Sequence, residues 1–283
     1  MDDTRLLEHG EGAGAFLPNL DGCGMFPLPM RAHLITTAFV VLLSILANGE
    51  TASKRAVETR RFPAAEAIQA AAADDRFFYA VDSTAVAKYD RTTGERMGVS
   101  TGKAKHLNSA FVWKGKVYCA HSNYPRKPER SEIMLLDSET MALSSFKDFG
   151  EYRGSLTWAI REKDHWWCTF AHYGKDNART VLVKLDDDWK EHGAWYFPPD
   201  VIKHLGNYSI SGGIWRDDHL LVTGHDHRVL YRLRLPASGE ILELVETIRA
   251  PFTGQGIAND PATGGLVGID RGKKQVVFAE LKE

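Results

Sequence analysis

Short apolar runs alternate with turn residues from residue 55 to the C-terminus, and the alternation itself repeats. One unit reads HLNSAFVWKGKVYCAH, a loop, then SEIMLLDSETMAL; the next reads GSLTWAIREKDHWWCTFAH, a loop, then RTVLVKLDDDWKE. The series continues with SISGGIWRDDHLLVTGH and RVLYRLRLPASGEILE, then with GQGIANDPATGGLVGID and KQVVFAEL. AIQAAAADDRFFYAVD with AVAKYDRTTGERMGV is a weaker first copy. Asp90, Asp137 and Asp186 fall at nearly equal intervals in three successive units. Runs of this length, bounded by Lys-Gly, Asp-Asp or Thr-Thr-Gly, predict strands rather than helices. A further run closes most units (MGVST, LSSFKDF, AWYFP, LVETIRAP), so each unit holds four strands. Four-stranded units at this period are propeller blades.

The last unit lacks its fourth strand because the sequence stops at Glu283. AVETRRFP at residues 56–63 mirrors LVETIRAP at residues 244–251. The N-terminal strand is therefore expected to complete the final blade and close the ring, which removes open sheet edges. The expected fold is all-β: a five-bladed β-propeller of four-stranded blades over residues 55–283, with six blades as the alternative if residues 1–54 contribute.

The N-terminus supplies an address. Arg31 and His33 precede an uncharged, mostly apolar stretch at 34–47, and Ala47-Asn48-Gly49 offers small residues before Glu50. That is the pattern of a cleaved signal peptide over 30–49, too short to span a bilayer. Residues 1–29 read as a leader that is disordered or never translated, and 50–54 as a linker. The expected product is exported, periplasmic or extracellular, monomeric, with no stable membrane span after cleavage. Cys119 and Cys168 lie within apolar strand patterns and are expected to be buried free thiols, a bridge being the lesser alternative. A net charge of −2 gives no global field that would attract nucleic acid.

Aligning the copies places Asp82, His121, His172, His225 and Asp270 at one equivalent position, the end of the second strand. Glu66, Asn108, Ser155, Ser211 and Gln255 align at the start of the inner strands. In a propeller both positions meet at the channel mouth, where converging polar groups suit a small-molecule site. The surrounding loops carry Arg126, Lys175, Arg228 and Arg271 among other cations, and local positive potential favours an anionic ligand. His121, His172 and His225 have three open readings: braces between blades, acid–base groups, or ligands to a divalent metal. Asp82 and Asp270 would orient them. His106 and Tyr124 are weaker candidates near the mouth, and the tryptophans are expected to pack between blades. There is no H-E-x-x-H and no phosphate loop.

GSLTW, SGGIW, LLVTGHD and GQGIAND resemble the signature of a group of exported bacterial propeller proteins often labelled cycloisomerase-like. The resemblance implies a ring-opening or ring-closing enzyme, cycloisomerase- or lactonase-like, acting on a small anionic metabolite. A non-catalytic propeller that binds a ligand or protein at the same mouth is the alternative. Five blades also occur in plant-type glutaminyl cyclotransferases, whose motifs are not matched here.

Overall fold

The computed structural model describes residues 54–282. The expected leader and signal segments lie outside the described residues. Among those described, no helix is long and apolar enough to cross a membrane.

The regular structure of the described residues is mostly strand. After β1 (Arg55–Pro63) come β2 (Ala70–Ala73), β3 (Phe77–Val81), β4 (Val86–Asp90) and β5 (Arg96–Val99), which form one antiparallel sheet in that order. The second sheet is β6 (His106–Trp113), β7 (Lys116–Ser122), β8 (Ser131–Asp137) and β9 (Leu143–Gly150). The third is β10 (Ser155–Glu162), β11 (His165–Ala171), β12 (Val181–Leu185) and β13 (Glu191–Tyr196). A short helix, α1 (Pro199–Leu205), leads to β14 (Gly212–Arg216), β15 (His219–Thr223), β16 (Val229–Arg234) and β17 (Glu243–Arg249). The chain ends with β18 (Ala258–Asp260), β19 (Gly265–Asp270) and β20 (Gln275–Lys282).

The N-terminal strand pairs with the C-terminal one. β1 runs antiparallel to β20 from Arg55↔Lys282 to Pro63↔Gln275, with a bulge between Glu58 and Arg60. β1 also meets β17 in parallel through one pair, Arg55↔Arg249. That contact merges the last two groups of strands into one eight-stranded sheet, β14-β15-β16-β17-β1-β20-β19-β18. The strands that open each group, β2, β6, β10, β14 and β18, neighbour one another in cyclic order, with β18 returning to β2.

Residue size sets how close these strands come. β2 is Ala-Ala-Ala-Ala, all buried, and a Cβ on Gly256 would stand 2.6 Å from the Ala70 side chain. Gly213 is similarly tight, because the indole of fully buried Trp158 would lie 2.5 Å from an added Cβ. Small residues on one strand thus admit close backbone approach or a large side chain from the next. Trp158, Trp166 and Trp167 are buried in one apolar cluster, with Trp113 and Trp215 packed against it, so the tryptophans do pack between neighbouring sheets. Cys119 and Cys168 are free and buried, and burial alone pushes the Cys119 thiol up to about 12 and Cys168 higher still.

Candidate functional site

The starts of the opening strands and the ends of the second strands emerge on one face around a cavity of about 340 Å3. Asn108, Thr157, Ser211 and Gln255 reach it from the opening strands or the turns just before them. Gln69 stands where Glu66 was expected, because the backbone at Gln69 bonds Gly256 N–H (2.8 Å) and Ala70 bridges to Gly256. Glu66 lies three residues earlier in a turn, accepting from the Tyr89 hydroxyl (2.5 Å) and Arg96 (2.9 Å). The register of the weakest copy was therefore displaced. The polyalanine strand offers no large side chain by which to fix it.

Two aromatic walls flank the cavity. On one side the His106 ring leans on Tyr124, and Tyr124 on Tyr173, each pair 5.1 Å between centroids. On the other, Tyr208 stacks flat on His225, with centroids 4.0 Å apart. The segment after α1 brings Asn207, Tyr208 and Ser209 to the rim, and Asn177 pins it by donating to Gly206 O at 2.6 Å. Arg271 completes the lining and donates to His225 Nε2 at 3.1 Å. Arg never accepts, so His225 Nε2 is the acceptor and the proton sits on Nδ1. That Nδ1 lies 2.8 Å from Asp226 Oδ2, near enough for attraction but off the line of a hydrogen bond.

Arg271 is the one fixed charge in this lining, and no carboxylate faces the cavity among the described residues. His106 is held below the usual imidazole range, first by burial, then by His121 and Arg271 nearby. Among the described residues its ring nitrogens have no hydrogen-bond partner. Burial pushes the Tyr173 phenol up, with Tyr124 and Glu129 adding to the effect. At neutral pH the site therefore presents a neutral imidazole, a protonated phenol and a guanidinium.

Of the expected ring, only His225 lines this cavity; His121 and His172 line two others. His121 is buried, accepting from Lys105 N–H at Nε2 (2.8 Å) and meeting Glu132 at Nδ1 (3.0 Å). The His172 ring packs on Gly154, where a Cβ would stand 3.2 Å from Nε2, and bonds the Arg153 backbone. Asp82 accepts from Thr84 N–H (2.6 Å) and Ala85 N–H (2.8 Å), closing its own turn. Asp270 caps a turn through Lys273 N–H and pairs with Arg228 at 2.9 Å. Each of these four secures a neighbouring loop, so the histidines do not converge. Among the described residues, no group of three or more His, Cys, Asp or Glu could hold a metal ion. A shared three-histidine metal site is therefore not formed.

The other expected contacts also separate. Ser155 is wholly buried and does not line the cavity. Arg126, in a loop, and Lys175, in a short 3-10 helix at Gly174–Arg179, are exposed outside it, and Arg228 is held by Asp270. Gln69, Thr157 and Tyr173 were not anticipated. Tyr173 directly follows His172, and only the loop geometry turns it inward.

No protein-family profile matches the chain, nor does any curated protein, so the resemblance to exported cycloisomerase-like propellers has no support at that level. The fold is similar to the crystal structure of Myxococcus xanthus glutaminyl cyclase, with a TM-score of 0.56 at 12% identity over 81% of this chain and 97% of that one. A crystal structure of the mitotic checkpoint complex matches more weakly, with a TM-score of 0.39 at 12% identity over 75% of this chain and 63% of that one. The first likeness shows a propeller-like fold; the second carries no argument.

Proposed function

We propose that this chain is an exported five-bladed propeller enzyme that opens or closes a ring in a small carboxylate-bearing metabolite at the Arg271 cavity. The eight-stranded sheet counts as two blades joined at one residue pair, and the cyclic contact of the opening strands supports closure. The observation that carries the functional reading is the lining itself: one guanidinium, a free neutral imidazole and no carboxylate. A pocket of that character attracts an anionic group and repels none of it.

In this reading Arg271 holds the substrate carboxylate, and His225 holds Arg271. His106 accepts the proton of the attacking hydroxyl or nitrogen and returns it to the oxygen or nitrogen that departs as the bond to the carbonyl carbon breaks. Tyr173 donates to the oxygen on which negative charge develops. His121, His172, Asp82 and Asp270 are positioning residues that fix the surrounding loops. The name of the Myxococcus protein is that of a cyclase, which fits ring chemistry only in general terms. A second reading, a ligand-binding propeller without chemistry, is favoured by the bonds that Asn108 (2.8 Å to Leu156 O) and Gln255 (3.0 Å to His225 O) already make within the protein.

The test is conversion of a panel of γ-lactones, their open hydroxy acids and an N-terminal glutaminyl peptide, followed by NMR. Turnover of one compound is expected, falling roughly 10²–10⁴-fold in His106→Gln. Arg271→Met should chiefly raise KM. Binding without turnover, abolished by Arg271→Met, would establish the second reading. Neither binding nor turnover across the panel would defeat both.

A further inference from the structure

The face opposite the mouth holds a larger cavity, about 600 Å3. It lies between the turns at 162–165 and 216–219, at the far ends of β10–β11 and β14–β15. Its floor is indole: Trp167 and Trp215 are in contact with ring centroids 4.7 Å apart, and Trp195 lies behind Trp167 at 5.8 Å.

The rim is dense in charge but balanced. Lys163 meets Asp218 at 3.4 Å, Arg216 meets Asp217 at 3.9 Å, and Arg234 meets Glu243 at 2.6 Å. Lys184 stands 5.5 Å from the centre of the Trp167 ring, and His219 Nδ1 bonds the Asp217 carbonyl at 2.8 Å. Paired charges create little net field, so this rim does not select an ion as the mouth does. It does set donors and acceptors side by side. A hydroxyl both donates and accepts, so vicinal hydroxyls match such pairs, while the apolar face of a sugar ring matches indole.

We infer that this cavity is a carbohydrate site, taking the end of a neutral oligosaccharide with its ring against Trp215 and its hydroxyls on the Asp218, Lys163 and Arg234 rim. The site is separate from the mouth and does not depend on the reading given to it. It would hold the protein on a glycan while the mouth faces away.

The experiment titrates the full chain with cellotriose, maltotriose and chitotriose, read by tryptophan fluorescence and by NMR. Saturable binding of at least one is expected, weakened about tenfold or more in Trp215→Ala and in Asp218→Asn. Arg271→Met should leave it unchanged. If Trp215→Ala does not fold, Arg234→Gln takes its place beside Asp218→Asn. No saturable binding of any of the three sugars would overturn the inference. So would binding indifferent to the rim substitutions, or lost in Arg271→Met.

Discussion

Lys105 and His106 are neighbours in sequence yet belong to two different regions. The Lys105 N–H closes on His121, whose other nitrogen meets Glu132, so that corner has both imidazole nitrogens engaged. One residue on, His106 faces the mouth with its ring nitrogens open and its charge suppressed by burial. A histidine with both nitrogens bonded is a fastener. One with a free nitrogen and a lowered proton affinity can take a proton and give it up again. The repeat supplied His121, but the neighbours decided which kind of residue it became.

That contrast can be broken most forcefully at the corner. His121→Ala leaves the Lys105 N–H without its acceptor and the half-buried Glu132 carboxylate with the Ser145 hydroxyl but not its imidazole partner, and should cost about 2–3 kcal/mol in urea denaturation. Ligand binding at the mouth should persist. A cost under about 0.5 kcal/mol, the range of an ordinary surface change, would show that the corner is not structural.

Tyr208→Ala acts at the mouth instead. It removes the flat stack on His225 and should cost about 0.5–1.5 kcal/mol, seen as weaker ligand binding more than as lost stability, since Tyr208 is 46% exposed. An unchanged affinity would remove that wall from the site.

The smallest effect is in pH dependence. His106 and His172 both bind protons less readily in the folded chain than the ordinary value of 6.5. The unfolded chain therefore takes up more protons below that value, and stability should decline as pH falls from about 6.5 towards the folded values. Glu132 is held low, first by its bond to His121, so its contribution is present above 4.5 and is lost as pH falls through its folded value. His106→Gln should flatten the upper part of this decline and leave the lower part, and His121→Ala the reverse. Parallel curves for the two variants would erase the distinction between the regions.

Much of the fold was legible because strand patterns are local. Alternation and turn residues marked most of the strands, and the likeness of residues 56–63 to 244–251 pointed to the pairing of β1 with β20 that the structure contains. The site was legible only in part. Asn108, Ser211, Gln255 and His225 line one cavity because repeat alignment tracks strand ends, and Arg271, read from the charge of a neighbouring loop, lines it too. Glu66 was misplaced for Gln69 because four alanines carry no pattern by which to set register. His121 and His172 were placed correctly along the chain, but the alignment could not say that Lys105 and Arg153 would claim their rings.

The sequence by itself therefore determined most of the strands, their grouping into the three four-stranded sheets and the residues that recur at strand ends, since those depend on side chains one or two positions apart, whereas the merging of the remaining strands into one eight-stranded sheet did not show in it. Only the tertiary structure decided which of those residues share a cavity. His225 meets Arg271 across 46 positions, and Tyr124 meets Tyr173 from a loop that follows a strand of a different sheet. Such contacts depend on how loops of unlike length fold over a common face, and a periodic pattern carries no record of that.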